Sequence, residues 1–129
     1  MTPEQEAVIE ANKNFYRAIQ SLSIEQMDAV WWQDESARCV HPGWDLLEGW
    51  EAIRESWQRI FEDTRYVRIS VSLQSVRVEG PVAWVACAEK ISSASEGGFE
   101  NALVQTTNIF LEHDGQWYLV HHHASHMPS

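Results

Sequence analysis

The chain has 129 residues, 44% of them hydrophobic, enough for one domain over 1–129 to bury a core without disulfides or a structural metal. Its 19 acidic and 9 basic side chains give a net charge of −10 with no Lys/Arg-rich stretch, which argues against nucleic acid and anionic lipid as partners. No apolar run approaches the roughly 20 residues of a membrane span, and the acidic start Met1-Thr2-Pro3-Glu4-Gln5-Glu6 lacks the basic and apolar regions of a signal peptide, so a cytoplasmic location is expected.

Thr2-Pro3-Glu4-Gln5 reads as a helix start with a capping Thr and Pro in the first turn. Val8, Ala11, Phe15, Ile19 and Leu22 then recur at helical spacing, so a first helix is predicted to about Ile19–Leu22. Ser23-Ile24-Glu25-Gln26 repeats the start signal and opens a short second helix that turns Met27, Val30 and Trp31 inward. Ser36 to Val40 has strand character and ends at His41-Pro42-Gly43, after which Trp44 to Glu48 reads as a loop. From Gly49 onward, Trp50, Ile53, Trp57, Ile60 and Phe61 fall on one face of a third helix.

Long strands follow. Val67, Ile69, Val71 and Leu73 alternate with polar residues, and the apolar phase then jumps to Val76 and Val78, which predicts a bulge near Gln74-Ser75. Glu79-Gly80-Pro81 turns into a strand from Val82 to Ser92. A loop is expected over Ser93–Gly98, then a strand from Phe99 to Glu112. Asp114-Gly115 is a two-residue hairpin signal, and the last strand runs from Gln116 to about Ser125. Helices first and antiparallel strands afterwards make an α+β protein, with the helices on one face of a strongly bent sheet. Cys39 and Cys87, far apart and without CxxC spacing, read as buried free thiols.

Three segments carry a family resemblance. Val40-His41-Pro42-Gly43 with Leu46-Leu47-Glu48-Gly49 and Trp57, the strand Val82-Ala83-Trp84-Val85-Ala86, and Asp114-Gly115-Gln116-Trp117 with His121, His123 and Ser125 resemble SnoaL-like domains of the NTF2-like superfamily. The closing hairpin is also similar to the association domain of calmodulin-dependent kinases. The resemblance implies a cystatin-like cone with a pocket between helices and sheet, and commonly a homodimer through the outer sheet face. It names no reaction, because the superfamily includes isomerases, dehydratases, cyclases and non-catalytic association modules.

Facing residues follow from pairing. If Asp114-Gly115 is the turn, Phe110 pairs with Leu119, Asn108 with His121 and Thr106 with His123, and paired residues share a face. In the kinase association domains the position resembling Asn108 holds a pocket arginine, which places Asn108, His121 and His123 inside. Ile109, Leu111, Tyr118 and Val120 then form an apolar outer strip suited to a dimer contact, with His122 beside them. Matching the family's central strand puts Glu89 next to the pocket. A Glu89 contact with His121 or His123 would be the nearest approach to a general acid/base pair, or else a structural buried hydrogen bond.

His121 and His123 could also chelate a metal with Glu89 or His41, but the later glutamate of comparable sites has no counterpart, and neither metal nor cofactor is expected. His41 reads as a loop residue satisfied by backbone or as a ligand contact near the mouth. Among the seven tryptophans, Trp44 is placed to touch a ligand, Trp57 either packs or touches one, and Tyr16 points inward or sits on the rim. The expected function is binding of a small, largely apolar molecule, possible acid/base chemistry included. The competing expectation is a homo-oligomeric association module.

Overall fold

The first helix, α1 (Pro3–Gln20), begins at a reciprocal cap: the Gln5 N–H donates to Thr2 Oγ1 at 3.1 Å and the Thr2 N–H to Gln5 Oε1 at 3.0 Å. Its inward stripe is Val8, Asn12, Phe15, Tyr16 and Ile19, so one polar side chain interrupts the apolar face at helical spacing. Ser23 caps α2 (Ile24–Val30) by accepting the Gln26 N–H at 3.1 Å. The third helix, α3 (Trp50–Asp63), buries Ile53, Ser56, Trp57 and Phe61. The computed structural model describes residues 1–128, and among them no helix is long and apolar enough to cross a membrane.

Six strands form one sheet: β1 (Arg38–Val40), β2 (Leu47–Glu48), β3 (Thr64–Glu79), β4 (Val82–Ser95), β5 (Gly98–His113) and β6 (Gln116–His126), in the order β2-β1-β6-β5-β4-β3. All neighbours run antiparallel except β1 and β6, which are parallel with Cys39 opposite His122. Two local expectations change. Leu47–Glu48 lies within the expected loop but pairs with β1, and the expected loop over Ser93–Gly98 shrinks to a tight turn because Ser95 already pairs with Gly98.

Of three register shifts in the sheet, one lies at the start of β3, where Thr64 pairs with Ser95 and Tyr66 with Ala94, and the other two bear on the site. In β3, Leu73 pairs with Cys87 and Ser75 with Ala86, so Gln74 is the extra residue where the phase jump predicted it. In β6, Phe110 pairs with Leu119 but Ile109 pairs with His121, so Val120 is extra as well. Before this bulge the inward residue is Leu119; beyond it His122 and Ala124 turn inward. One inserted residue thereby exchanges the two faces of everything that follows.

The core lies between the helices and the concave sheet face. Phe15, with no exposed surface, meets the rings of Tyr16, Trp31, Trp57 and His122 at centroid separations of 5.0, 6.2, 5.7 and 4.9 Å. Trp31 stacks on Trp50 at 5.9 Å, which ties the end of α2 to the start of α3. A residue touching both helical layers and β6 cannot be truncated without leaving a void. Phe15→Ala is expected to cost about 3–5 kcal/mol in urea unfolding; a loss below about 1 kcal/mol would mean that the helices close over the gap.

Candidate functional site

Position follows from local chain chemistry. His41-Pro42-Gly43-Trp44 is a tight turn in which the Trp44 N–H donates to the His41 carbonyl at 2.9 Å and Gly43 takes φ +83°, a conformation that favours glycine. The turn sets the Trp44 ring edge-on to His41 at 4.8 Å, and Trp57 from α3 meets the same imidazole edge-on at 4.6 Å. Ser56 Oγ donates to the Ile53 carbonyl at 2.6 Å and stands 2.8 Å from His41 Nε2. With its single proton already committed, the hydroxyl accepts from His41 Nε2–H, so His41 keeps its lone pair on Nδ1.

Behind this aromatic wall runs a buried polar chain. Tyr16 OH donates to Glu89 Oε2 at 2.5 Å, Thr106 Oγ1 donates to the same oxygen at 2.7 Å, and Tyr16 OH lies 3.3 Å from Cys87 Sγ. Asn108 Nδ2 donates to Asn12 Oδ1 at 2.9 Å and to Tyr16 OH at 3.2 Å, while Asn108 Oδ1 stands 2.6 Å from His122 Nδ1. A carbonyl oxygen can only accept, so His122 Nδ1 carries the proton and Nε2 is the free lone pair.

A cavity of about 250 Å³ lies between α1, α3, the His41–Trp44 turn and the sheet. Its walls include Ile19, Ile60, Phe61, Ile69, Ile91 and Val104, with Glu89, His41, His122, Trp44 and Trp57 also on its surface. At about 30 Å³ per liquid water the space equals roughly eight waters, which suits a ligand of one ring.

Burial decides the charge states. Desolvation raises the Glu89 carboxyl pKa, against opposing hydrogen bonds from Tyr16 and Thr106. The same cause lowers His41 from 6.5 to about 4 and holds His122 well below its ordinary value, with His41, His121 and His123 adding smaller repulsions. Tyr16 is pushed up by burial first and then by Glu89. The cavity therefore combines a carboxyl whose pKa is raised by burial with two imidazoles whose pKa values are lowered by it.

The structure brings together some expected residues and separates others. Glu89, His41, Trp44 and Trp57 line the cavity, whereas Tyr16 and Asn108 stand behind it and hold the lining groups. His121 and His123 are corrected: they stack on each other at 6.2 Å on the convex face, because the Val120 bulge reverses the phase. The residue that faces in is His122, expected outside. His121 and His123 thus cannot join Glu89 or His41 around one metal, since the sheet stands between them.

Three buried polar groups have no role in the sequence-based expectation, although pairing already puts Thr106 on the inward face. Asn12 falls in the stripe of Val8, Phe15 and Ile19 and was visible by spacing alone, as was Thr106 between Val104 and Asn108. Ser56 sits one residue before Trp57 on the inward face of α3. Cys39 and Cys87 are buried free thiols, as expected.

Helices closing a bent sheet over a polar-floored cavity define an α+β cone of the cystatin-like, NTF2-like kind. The chain belongs to the SnoaL-like domain family, whose model matches residues 8–129. A candidate dehydratase of the NTF2-like family from Streptomyces avermitilis is 31% identical, with a TM-score of 0.91 over 99% of this chain and 100% of that one. A candidate calcium/calmodulin-dependent protein kinase type II association domain from Thiobacillus denitrificans is 26% identical, with a TM-score of 0.83 over 98% of this chain and 96% of that one. The F-box protein SKIP8 of Arabidopsis thaliana is 28% identical over 121 residues, 94% of this chain, which spans about half the length of that curated relative.

The charge states carry a pH signature with opposing signs. His41 binds protons in the unfolded state from 6.5 downward but in the folded state only near 4, so its contribution falls as pH drops through that window, by up to about 3 kcal/mol. Glu89 has a raised folded pKa, so its contribution is greatest below 4.5 and is lost as pH rises through the folded value. The two act in opposite directions in the wild type, and His122, lowered by burial as well, acts with His41. Glu89→Gln removes the carboxyl contribution, and urea titrations are expected to lose stability more steeply from pH 6.5 to 4 in the variant; parallel curves would mean that Glu89 is ionised in the folded protein.

Proposed function

We propose that the chain is a small-molecule pocket protein with proton-transfer chemistry of the isomerase or dehydratase type, Glu89 acting as acid and His122 as base. One observation carries this reading: a buried carboxyl and a buried imidazole line the same cavity and are tied into one hydrogen-bond chain through Tyr16 and Asn108. A carboxyl that keeps its proton can give it to a carbonyl or leaving hydroxyl oxygen, and a neutral imidazole with a free Nε2 can take one from the adjacent carbon. His41 and Trp44 would shape the mouth and Trp57 would form the wall against an apolar ligand. The likeness to the Streptomyces protein, itself a candidate dehydratase, supports the same class.

The reaction can be followed without the natural substrate. Exchange of α-hydrogens for deuterium in acetophenone, monitored by NMR in heavy water, is expected to run faster with the protein than in buffer. Glu89→Gln and His122→Asn should each slow it on the order of 10²-fold while retaining the wild-type circular dichroism. Asn at 122 can still donate to Asn108, so the fold keeps that bond. Exchange at the wild-type rate in both folded variants would remove the assignment.

The outer sheet face favours a second reading, assembly. Trp84, 40% exposed, sits opposite Ile109, and Leu111 opposite Tyr118 and Val82, an apolar strip that also includes Val120. In this reading a homodimer covers the strip, consistent with likeness to the Thiobacillus association domain. Ile109→Glu and Tyr118→Glu should then yield monomers in light scattering, and an unchanged mass in both would exclude this surface.

A further inference from the structure

The hydrogen-bond directions around the cavity constrain what it can hold, because Glu89 and His122 on its surface each have one partner position filled and one open. Glu89 Oε2 already accepts from Tyr16 and Thr106. Glu89 is only 4% exposed and no Lys or Arg lines the cavity, which favours the neutral carboxyl; with Oε2 occupied by two donors its proton then belongs on Oε1, which finds no partner among the described residues. This oxygen offers an O–H and needs an acceptor.

His122 presents the opposite demand. Asn12 takes one proton of the Asn108 amide and Tyr16 accepts the other, which turns Asn108 Oδ1 toward His122 and fixes the proton on Nδ1. Nε2 is left as an acceptor that needs a donor. His41, the second interior imidazole, spends its N–H on Ser56, so neither buried histidine has an N–H to offer a bound anion. No Lys or Arg lines the cavity, and the side chain of Glu100 stands at its rim with His126.

From this pattern we infer that the cavity selects an uncharged ligand bearing one hydrogen-bond acceptor and one donor, of the hydroxy-ketone or carboxamide type, and excludes carboxylates and phosphates. The inference rests on the pocket reading above and makes it specific. A carbonyl oxygen would meet Glu89 Oε1–H, and a hydroxyl or amide N–H would meet His122 Nε2. A carboxylate would bring charge into a low-dielectric space without a cationic partner, which is costly even when its oxygens are hydrogen-bonded.

Benzamide, benzoate and benzamidinium have nearly the same shape and differ in charge. Each is titrated at neutral pH into ¹⁵N-labelled protein, following the indole N–H signals of Trp44 and Trp57 and the imidazole nitrogens of His122. Benzamide is expected to shift these signals and bind at least about tenfold more tightly than either ion. Benzoate binding as well as benzamide overturns the ligand class and leaves the pocket reading standing. Tighter benzamidinium binding also overturns the ligand class, by requiring an ionised Glu89.

Binding by none of the three overturns the inference and the pocket reading together. Glu89→Gln supplies the internal control, because an amide N–H replaces Oε1–H while its oxygen still accepts from Tyr16 and Thr106. Benzamide affinity should stay within about threefold in this variant even though hydrogen exchange is slowed. A folded Glu89→Gln protein that no longer binds benzamide would refute the assignment of the donor.

Discussion

The buried amide of Asn108 is the interaction on which the site depends. From the middle of β5 it reaches α1 through Asn12 and Tyr16, and β6 through His122, while Tyr16 extends the chain to Glu89 on β4. Asn108 is fully buried, so each of these bonds replaces water that folding removed. Replacing the amide by an apolar group of the same volume would leave Asn12 and His122 with unpaired atoms in the interior. The link from Asn12 to the sheet and the imidazole orientation therefore rest on one side chain.

Such a chain is an unusual choice for stability alone. A core of this size could be closed with aliphatic residues, and buried polar groups reach at best rough parity with that alternative when every partner is present. Here Glu89 Oε1 and His122 Nε2 have no partner among the described residues, and both residues border open space. Departures from apolar packing that leave unsatisfied groups at a cavity wall are expected at sites of function.

Much of the architecture was legible because periodicity reports burial. The capped start of α1, the amphipathic α3, the Asp114-Gly115 hairpin and the Gln74 bulge each left a pattern in residue order. The Gln74 bulge was visible because alternation broke between Leu73 and Val76, with polar residues marking the gap. The Val120 bulge left no such trace. Leu119 and Val120 are both apolar, so either phase reads equally well, and three successive histidines look the same from both faces. The parallel pairing of β1 with β6, which places Cys39 opposite His122, is a long-range contact that local sequence does not encode.

That single ambiguity bears on both faces of the sheet. With Val120 bulged, His122 joins Asn108 inside while His121 pairs with Ile109 outside and His123 with Thr107. The outer histidines then stack beside the apolar strip, and Arg38, opposite His121 on β1, helps burial and His123 to hold the His121 pKa down. A slip of one residue would put two imidazoles into the core next to Asn108 and lose the inward Ala124, whose small side chain fits opposite Thr106. The interior has room for one ring at this level, already bounded by Phe15, Trp57 and His41 at 4.9, 6.3 and 6.5 Å. Packing on the concave side thus fixes which histidine meets the cavity, and by the two-residue repeat of the strand it fixes what the convex side presents as well.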